Sequence, residues 1–266
     1  MVYFIVAVVI VFLIFACDMR LKTVHYEVES EKIEKPVRFA LITDLHSCRY
    51  GKDEKRLIEA IDREKPDIVL LGGDIFESWR SVKNPQALLE DAAKKYPCFY
   101  AAGNHEFRDD TIIKALNIVK SNGVKYLSGG NETLSVREQL VTVGGIDDPY
   151  SGADTKKQIA DAINGAQGFS VLISHRPELT EMYRESGFDM VVAGHAHGGQ
   201  WRIPGILNGV LAPHQGFFPK YAGGKYQLGD TALIVSRGLS RENVFWVPRI
   251  FNRPELVIID AVPKRR

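Results

Sequence analysis

Phe39-Ala40-Leu41-Ile42-Thr43-Asp44-Leu45-His46 is an apolar, β-branched run that ends on two metal-ligand side chains, and its form recurs along the chain. Ile68 to Gly72 leads into Gly73-Asp74, and Cys98 to Ala102 into Gly103-Asn104-His105-Glu106. Val171 to Ser174 leads into His175, and Met190 to Ala193 into Gly194-His195-Ala196-His197. Buried strands that end in loops carry chemistry at their carboxyl ends in an open α/β scaffold. Converging, the loops assemble two Asp, one Asn and five His in one cavity, a metal site with donors enough for two ions.

Local spacing supports this. Asp44 and His46 stand two apart, as do His195 and His197, and residues i and i+2 of a strand share a face. Asp74 follows two glycines, which let the backbone turn sharply, and Asn104 adds a neutral oxygen. Each motif alone is an ordinary loop; the ordered set is not. Mixed imidazole, carboxylate and amide donors suit Mn²⁺, Zn²⁺, Fe or Co²⁺ better than Ca²⁺ or Mg²⁺, with manganese the first expectation.

Between the runs lie helical patterns at Asp53–Glu64, Pro85–Lys95 and Thr111–Asn122, which argue for parallel βαβ units. The second half is richer in strands. Glu132–Val136 and Leu140–Ile146 read as a hairpin, Lys156–Asn164 as a helix, and a further helix is expected from Pro177. Gln200–Ile203, Thr231–Arg237 and Glu255–Asp260 read as strands, and Leu211–Tyr226 as an aromatic loop.

With 266 residues, 45% of them hydrophobic, the chain can bury a substantial core. Its net charge of +1 gives no general attraction to nucleic acid, and Lys264-Arg265-Arg266 reads as a solvated terminus. Three cysteines, Cys17, Cys48 and Cys98, form no disulfide framework. Val2 to Cys17 is apolar without interruption, near the lower limit of about 17 residues for a membrane span. It is expected to anchor the chain as a transmembrane helix. A secretory signal, or a lipoprotein site at Cys17, is the competing reading. Arg20 and Lys22 follow the run, which places the catalytic part in the cytoplasm by the positive-inside rule.

The ordered set D-x-H, G-D, G-N-H-E, H and G-H-x-H closely resembles the signature of the calcineurin-like metallophosphoesterase superfamily, from Val37 to about Asp260. His197-Gly198-Gly199-Gln200 and Ser236-Arg237-Gly238-Leu239 further resemble its membrane-anchored or exported bacterial phosphodiesterase branch. The resemblance implies a four-layer α/β/β/α sandwich over residues 37–266, behind an anchor at 1–19 and a leading strand and linker at 20–36. It implies one metal held by Asp44, His46, Asp74 and His197, and a second held by Asp74, Asn104, His175 and His195. Asp74 would bridge, and His105 would face the substrate and protonate the leaving oxygen. The implied reaction is hydrolysis of a phosphodiester or pyrophosphate bond by a metal-bridging hydroxide, between ions about 3.5–4 Å apart.

Around the site, Arg49 and Arg237 are candidates for binding substrate phosphate, and Tyr221 for an acyl chain, a base or the bilayer surface. A membrane anchor beside an aromatic loop suggests a lipid-linked substrate such as UDP-diacylglucosamine of lipid A synthesis. An outward-facing envelope phosphodiesterase, or an inactive scaffold of the same fold, is the alternative.

Overall fold

The computed structural model describes residues 1–108, 111–241 and 248–265. In chain order the first half runs α1 (Val2–Ala16), β1 (Lys22–Ser30), β2 (Val37–Ile42), α2 (Lys55–Glu64), β3 (Ile68–Gly72), α3 (Lys83–Lys95), β4 (Cys98–Ala101), α4 (Thr111–Ser121) and β5 (Lys125–Tyr126). The second half runs β6 (Gly130–Val136), β7 (Gln139–Gly145), α5 (Thr155–Ile163), β8 (Phe169–Ile173), α6 (Thr180–Arg184), β9 (Met190–Ala193), β10 (Leu211–Ala212), β11 (Gly216–Phe217), β12 (Gly224–Leu228), β13 (Thr231–Val235) and β14 (Glu255–Pro263).

The strands form two six-stranded mixed sheets, ordered β1-β14-β2-β3-β4-β5 and β12-β13-β9-β8-β7-β6. Their side-chain alternation builds the layers. In β2, Phe39 and Leu41 point between the sheets to meet Phe169, Val171 and Ile173 of β8. Ala40 and Ile42 point the other way, onto Leu57 and Ile61 of α2 and Leu88 of α3. Leu172 and Val191 turn outward from the second sheet onto Ile159 of α5 and Tyr183 of α6. The result is helices, sheet, sheet, helices, the four layers expected. Burying both faces of β3 and β8 explains why those strands are unbroken apolar runs.

Several expectations are corrected. β1 pairs in parallel with β14 from Lys22↔Glu255 to Ser30↔Pro263. A boundary after residue 36 therefore falls inside a sheet, and the leading strand belongs to the same unit as the motifs. The helix expected at Pro177 is a single turn beginning at Thr180, because Arg176 is tied down by Asp148 and its carbonyl accepts from the Tyr183 hydroxyl. Gln200–Ile203 makes only isolated bridges, Trp201 to Ile250 and Ile203 to Leu207. The basic tail is solvated as expected, with exposed Lys264 and Arg265 beside Glu31 and Glu27, while Arg266 lies outside the described residues.

The transmembrane span is corrected too. α1 has 15 residues, so it is about 22 Å long against a hydrocarbon core of about 30 Å. Among the described residues no helix is long and apolar enough to cross a membrane. The helix stops because Asp18 turns back to accept from the Arg20 backbone and guanidinium and pairs with Arg253, after which Lys22 enters the sheet.

Candidate metal centre

The loops after β2, β3, β4, β8 and β9 converge at one end of the two sheets. Backbone bonds stitch the first two together: Asp44 N–H donates to Gly73 O, His46 N–H to Asp74 O and Ser47 N–H to Ile75 O, all at 2.9–3.0 Å. The loop after β4 is bound to the loop after β3 by Glu106. Its buried carboxylate accepts from the N–H groups of Asp74, Ile75, Phe76 and Gly103 at 2.7–3.0 Å. The ligand carboxylates also serve as backbone acceptors. Asp74 Oδ1 takes the His105 N–H at 2.8 Å and Asp44 Oδ1 takes the His195 N–H at 2.9 Å.

The motif glycines are required by close approach. A Cβ on Gly194 would lie 2.4 Å from Asp44 Oδ2, and one on Gly73, at φ +83°, would lie 2.6 Å from His175 Nδ1. The ligand positions themselves are strained. Asp44, His46, Asp74, His195 and His197 all have positive φ, between 47° and 65°. Each such residue costs about 1–3 kcal/mol and persists where the surroundings over-determine it, as they do at functional sites.

Two triads result. Donor atoms of Asp44, His46 and His197 lie within 4.8 Å of one another, and so do those of Asp74, His175 and His195. Asp74 joins them: its Oδ2 stands 3.1 Å from His175 Nε2 and 3.7 Å from His46 Nε2. The imidazoles are oriented from behind. His175 Nδ1–H donates to Gly72 O at 2.8 Å, which turns Nε2 toward Asp74. His46 Nδ1–H donates to Glu77 Oε2 at 2.9 Å and turns its Nε2 the same way. His195 directs Nδ1 to His175 Nε2 at 3.2 Å, while His214 Nδ1 lies 2.9 Å from its other nitrogen.

The donor set fits divalent cations. Asp44 Oδ2, His46 Nε2 and Asn104 Oδ1 are buried without a hydrogen-bond partner in the protein, although each such atom costs about 1–3 kcal/mol when unpaired. Three together, all of ligand type, mark where a cation belongs.

The electrostatics agree. Burial works against ionisation of Asp74, yet His175, His46 and His105 hold it well below the usual carboxylate range. Burial, with Asp74 beside it, pushes the Asp44 carboxyl up. Burial disfavours the His175 cation, but the Asp74 carboxylate raises its pKa to about 10. His195 and His197 are pushed down, by burial first and then by cationic neighbours, so both are neutral imidazoles able to ligate.

His105 stands at the mouth, part-buried. Its Nδ1 lies 2.8 Å from Glu77 Oε2, and Arg108 Nη1 reaches its Nε2 at 3.3 Å. Burial opposes its cation, but Glu77 and Asp74 raise its pKa overall. Burial raises the Glu77 carboxyl, yet its bonds with His105 and His46 win and hold it at about 2.

The structure thus brings together Asp44, His46, Asp74, His105, His175, His195 and His197, with Asn104 buried in the loop that carries His105. It does not bring the three further candidates to them. Arg237 is part-buried and pairs with Glu255 at 2.9 Å, its Nη2 also reaching Asn208. Its charge is taken up by a structural ion pair, which corrects the phosphate contact expected of it. Arg49 is exposed and donates to Gly51 O within its own turn. Tyr221 packs its ring 5.0 Å from Tyr226 against the outer core of the second sheet. Sequence reasoning missed Glu77, which had no local signal, and gave no role to Glu106, although it ends the Gly-Asn-His-Glu motif. His214 was passed over as part of an aromatic loop.

Paired ligand triads at the ends of parallel strands, on a two-sheet sandwich, define a metal-dependent hydrolase of phosphoesters. Residues 37–199 match the calcineurin-like phosphoesterase family, and the chain belongs to it. It is 31% identical over 268 residues to an uncharacterized metallophosphoesterase of Campylobacter jejuni, covering 96% of this chain and 68% of that one. It is 26% identical to phosphodiesterase YaeI of Escherichia coli, covering 85% and 83%. Among solved structures, TT1561 of Thermus thermophilus superposes with a TM-score of 0.51 at 9% identity, covering 78% of this chain and 92% of that one. The NAD nucleotidase of Haemophilus influenzae gives 0.51 at 15% identity, covering 77% and 46%. At such identities these two speak to the fold alone.

Proposed function

We propose that the chain hydrolyses a phosphodiester or pyrophosphate bond at a dinuclear centre. The observation that carries this reading is the pair of triads joined through Asp74, with buried, unpaired donor atoms on Asp44, His46 and Asn104. Asp44, His46, Asp74 and His197 would hold one cation, and Asp74, Asn104, His175 and His195 the other. Manganese heads the metals that suit these donors, with zinc, iron and cobalt behind it. Bound there, two divalent cations supply Lewis acidity to the phosphoryl oxygens and lower the pKa of a coordinated water.

The chain's own residues do the rest. His105, steadied by Glu77, delivers a proton to the leaving oxygen. Arg108 sets a positive charge beside it for the phosphoryl group. A diester suits this mouth better than a dianionic monoester, because Arg176 and Arg237 spend their charges on Asp148 and Glu255. The relative named a phosphodiesterase supports the same choice.

For location, α1 would attach the chain to the surface of a bilayer through its apolar side chains. A lipid-linked pyrophosphate of the UDP-diacylglucosamine kind is the finer substrate proposal.

The test is hydrolysis of an aryl phosphodiester and an aryl monoester by the full chain in detergent, titrated with Mn²⁺, beside Asp74→Ala. The diester is expected to be cut faster, only with metal, and not by the variant. Activity surviving Asp74→Ala refutes the dinuclear reading. A wild type inert with every metal favours a scaffold.

A further inference from the structure

Apart from α1, most of the exposed large apolar side chains among the described residues fall in one stretch. Trp201, Ile203, Ile206, Leu211, Phe217 and Phe218 are all exposed, Ile206 by 84%, Phe217 by 73% and Phe218 by 69%. Between Gln200 and Phe218 the one Lys, Arg, Asp or Glu is Arg202, which turns its Nε–H back to Asn208 O. Backbone bonds make the stretch a single layer. Leu207 N–H donates to Ile203 O, Val210 N–H to Gly199 O and Phe218 N–H to Val210 O.

This layer is continuous with α1. Ile250 bridges to Trp201, and the next residue, Phe251, donates its N–H to Ala16 O at 2.7 Å and sets its ring 5.5 Å from Phe12. It is continuous with the metal centre as well. His197 begins it, and His214, between β10 and β11, touches His195.

We infer that this layer is a membrane-contacting surface which, with α1, holds the metal centre against a bilayer, so that the substrate is a phosphoester whose apolar part stays in the lipid. The assignment of a substrate rests on the hydrolase reading above; the surface itself does not. α1 identifies lipid as the occupant. Val2 to Phe15 are apolar and exposed around the whole circumference, whereas a protein groove covers one stripe of a helix. A patch joined to such a helix by Phe251 shares its medium. The exposed Lys220 follows the patch directly, where it meets lipid phosphates.

The test uses the full chain carrying Trp79→Phe and Trp246→Phe, which leaves Trp201 as the one indole of the three. It is mixed with phosphatidylcholine vesicles brominated on their acyl chains. Quenching of Trp201 is expected, with its loss when Ile206→Asp, Phe217→Asp and Phe218→Asp are added while α1 still floats the chain with the vesicles. An unquenched Trp201 on a chain that floats overturns the inference, as does quenching that the triple change leaves intact. Self-association abolished by the triple change, without quenching in the parent, assigns the patch to a second copy instead.

A second arm compares a phosphodiester lipid in vesicles with a soluble aryl phosphodiester. The triple variant should lose at least about tenfold on the first, since interfacial binding scales with buried apolar area, and nothing on the second. Equal activity on both refutes the substrate class. A wild type inert on both fails the hydrolase reading while the quenching result stands.

Discussion

Glu77 is the residue on which two functions converge. One carboxylate oxygen, Oε2, meets His46 Nδ1 at 2.9 Å and His105 Nδ1 at 2.8 Å, while Oε1 accepts the Ser78 N–H at 3.2 Å. In Glu77→Gln the amide has only one acceptor oxygen. Turned toward the imidazoles, it leaves NH₂ facing the Ser78 N–H; turned the other way, it sets NH₂ against two imidazole donors. Either way a charge-assisted contact is lost. Removing such a support from a metal-ligating histidine costs about 10–100-fold in metal affinity or activity, or about 1.4–2.7 kcal/mol. The share that acts through His105 adds to kcat, since a positioned acid contributes about 10²–10⁴-fold.

The assay is kcat/KM on an aryl phosphodiester over a Mn²⁺ titration, for Glu77→Gln, His105→Ala and the double variant. The single Gln variant is expected to lose about 10–100-fold and to need more metal for half-activation. The double variant should fall less than the product of the singles, because contacting residues are energetically coupled. A Glu77→Gln enzyme within about twofold of wild type, or strict additivity with His105→Ala, refutes the role given to Glu77.

Two further outcomes test the supports of the site. Glu106 Oε1 accepts from Ile75 and Phe76 and Oε2 from Asp74 and Gly103, so Glu106→Gln strands one pair of buried donors. At about 1–3 kcal/mol each, unfolding in urea should show a loss of about 2–6 kcal/mol, and a loss under about 1 kcal/mol contradicts the clamp. Glu54 is buried, and burial raises its carboxyl from 4.5 to about 7 against the Tyr50 N–H bond. A folded pKa above the unfolded one means that the native chain holds this proton more tightly. Its contribution is full below about pH 4.5 and is lost as pH rises through 7, by about 3 kcal/mol. Urea midpoints at pH 5 and pH 8 should therefore fall in wild type and stay closer in Glu54→Gln, and equal falls in both reject the assignment.

Much of the centre was legible because its information is local. Each ligand lies within a few residues of the end of an apolar strand, so the strand that places it and the side chain that binds are read in one window. The two-sheet sandwich was legible for the same reason, from the switch between helix-separated runs and a strand-rich second half. The extent of α1 was legible too, the apolar run Val2–Cys17 against the helix Val2–Ala16, but the pairing of β1 with β14, which sets Lys22 against Glu255, was not.

By itself the sequence picked out the candidate ligands, the order of the strands that carry them and the likeness to the family to which the chain belongs. Only the tertiary structure decided which charges remain for the substrate. Arg237 and Arg49 look alike as arginines just beyond a strand's apolar run, yet one is spent on Glu255 and the other lies exposed. Glu77 looks like any surface glutamate until the loop after β4 sets His105 against it, 28 residues on. The layer of Trp201, Ile206 and Phe217 becomes a surface only once Ile250 and Phe251 join it to α1. Whether a side chain is available depends on its neighbours in space, and pairing across distant segments leaves no periodic trace in the chain.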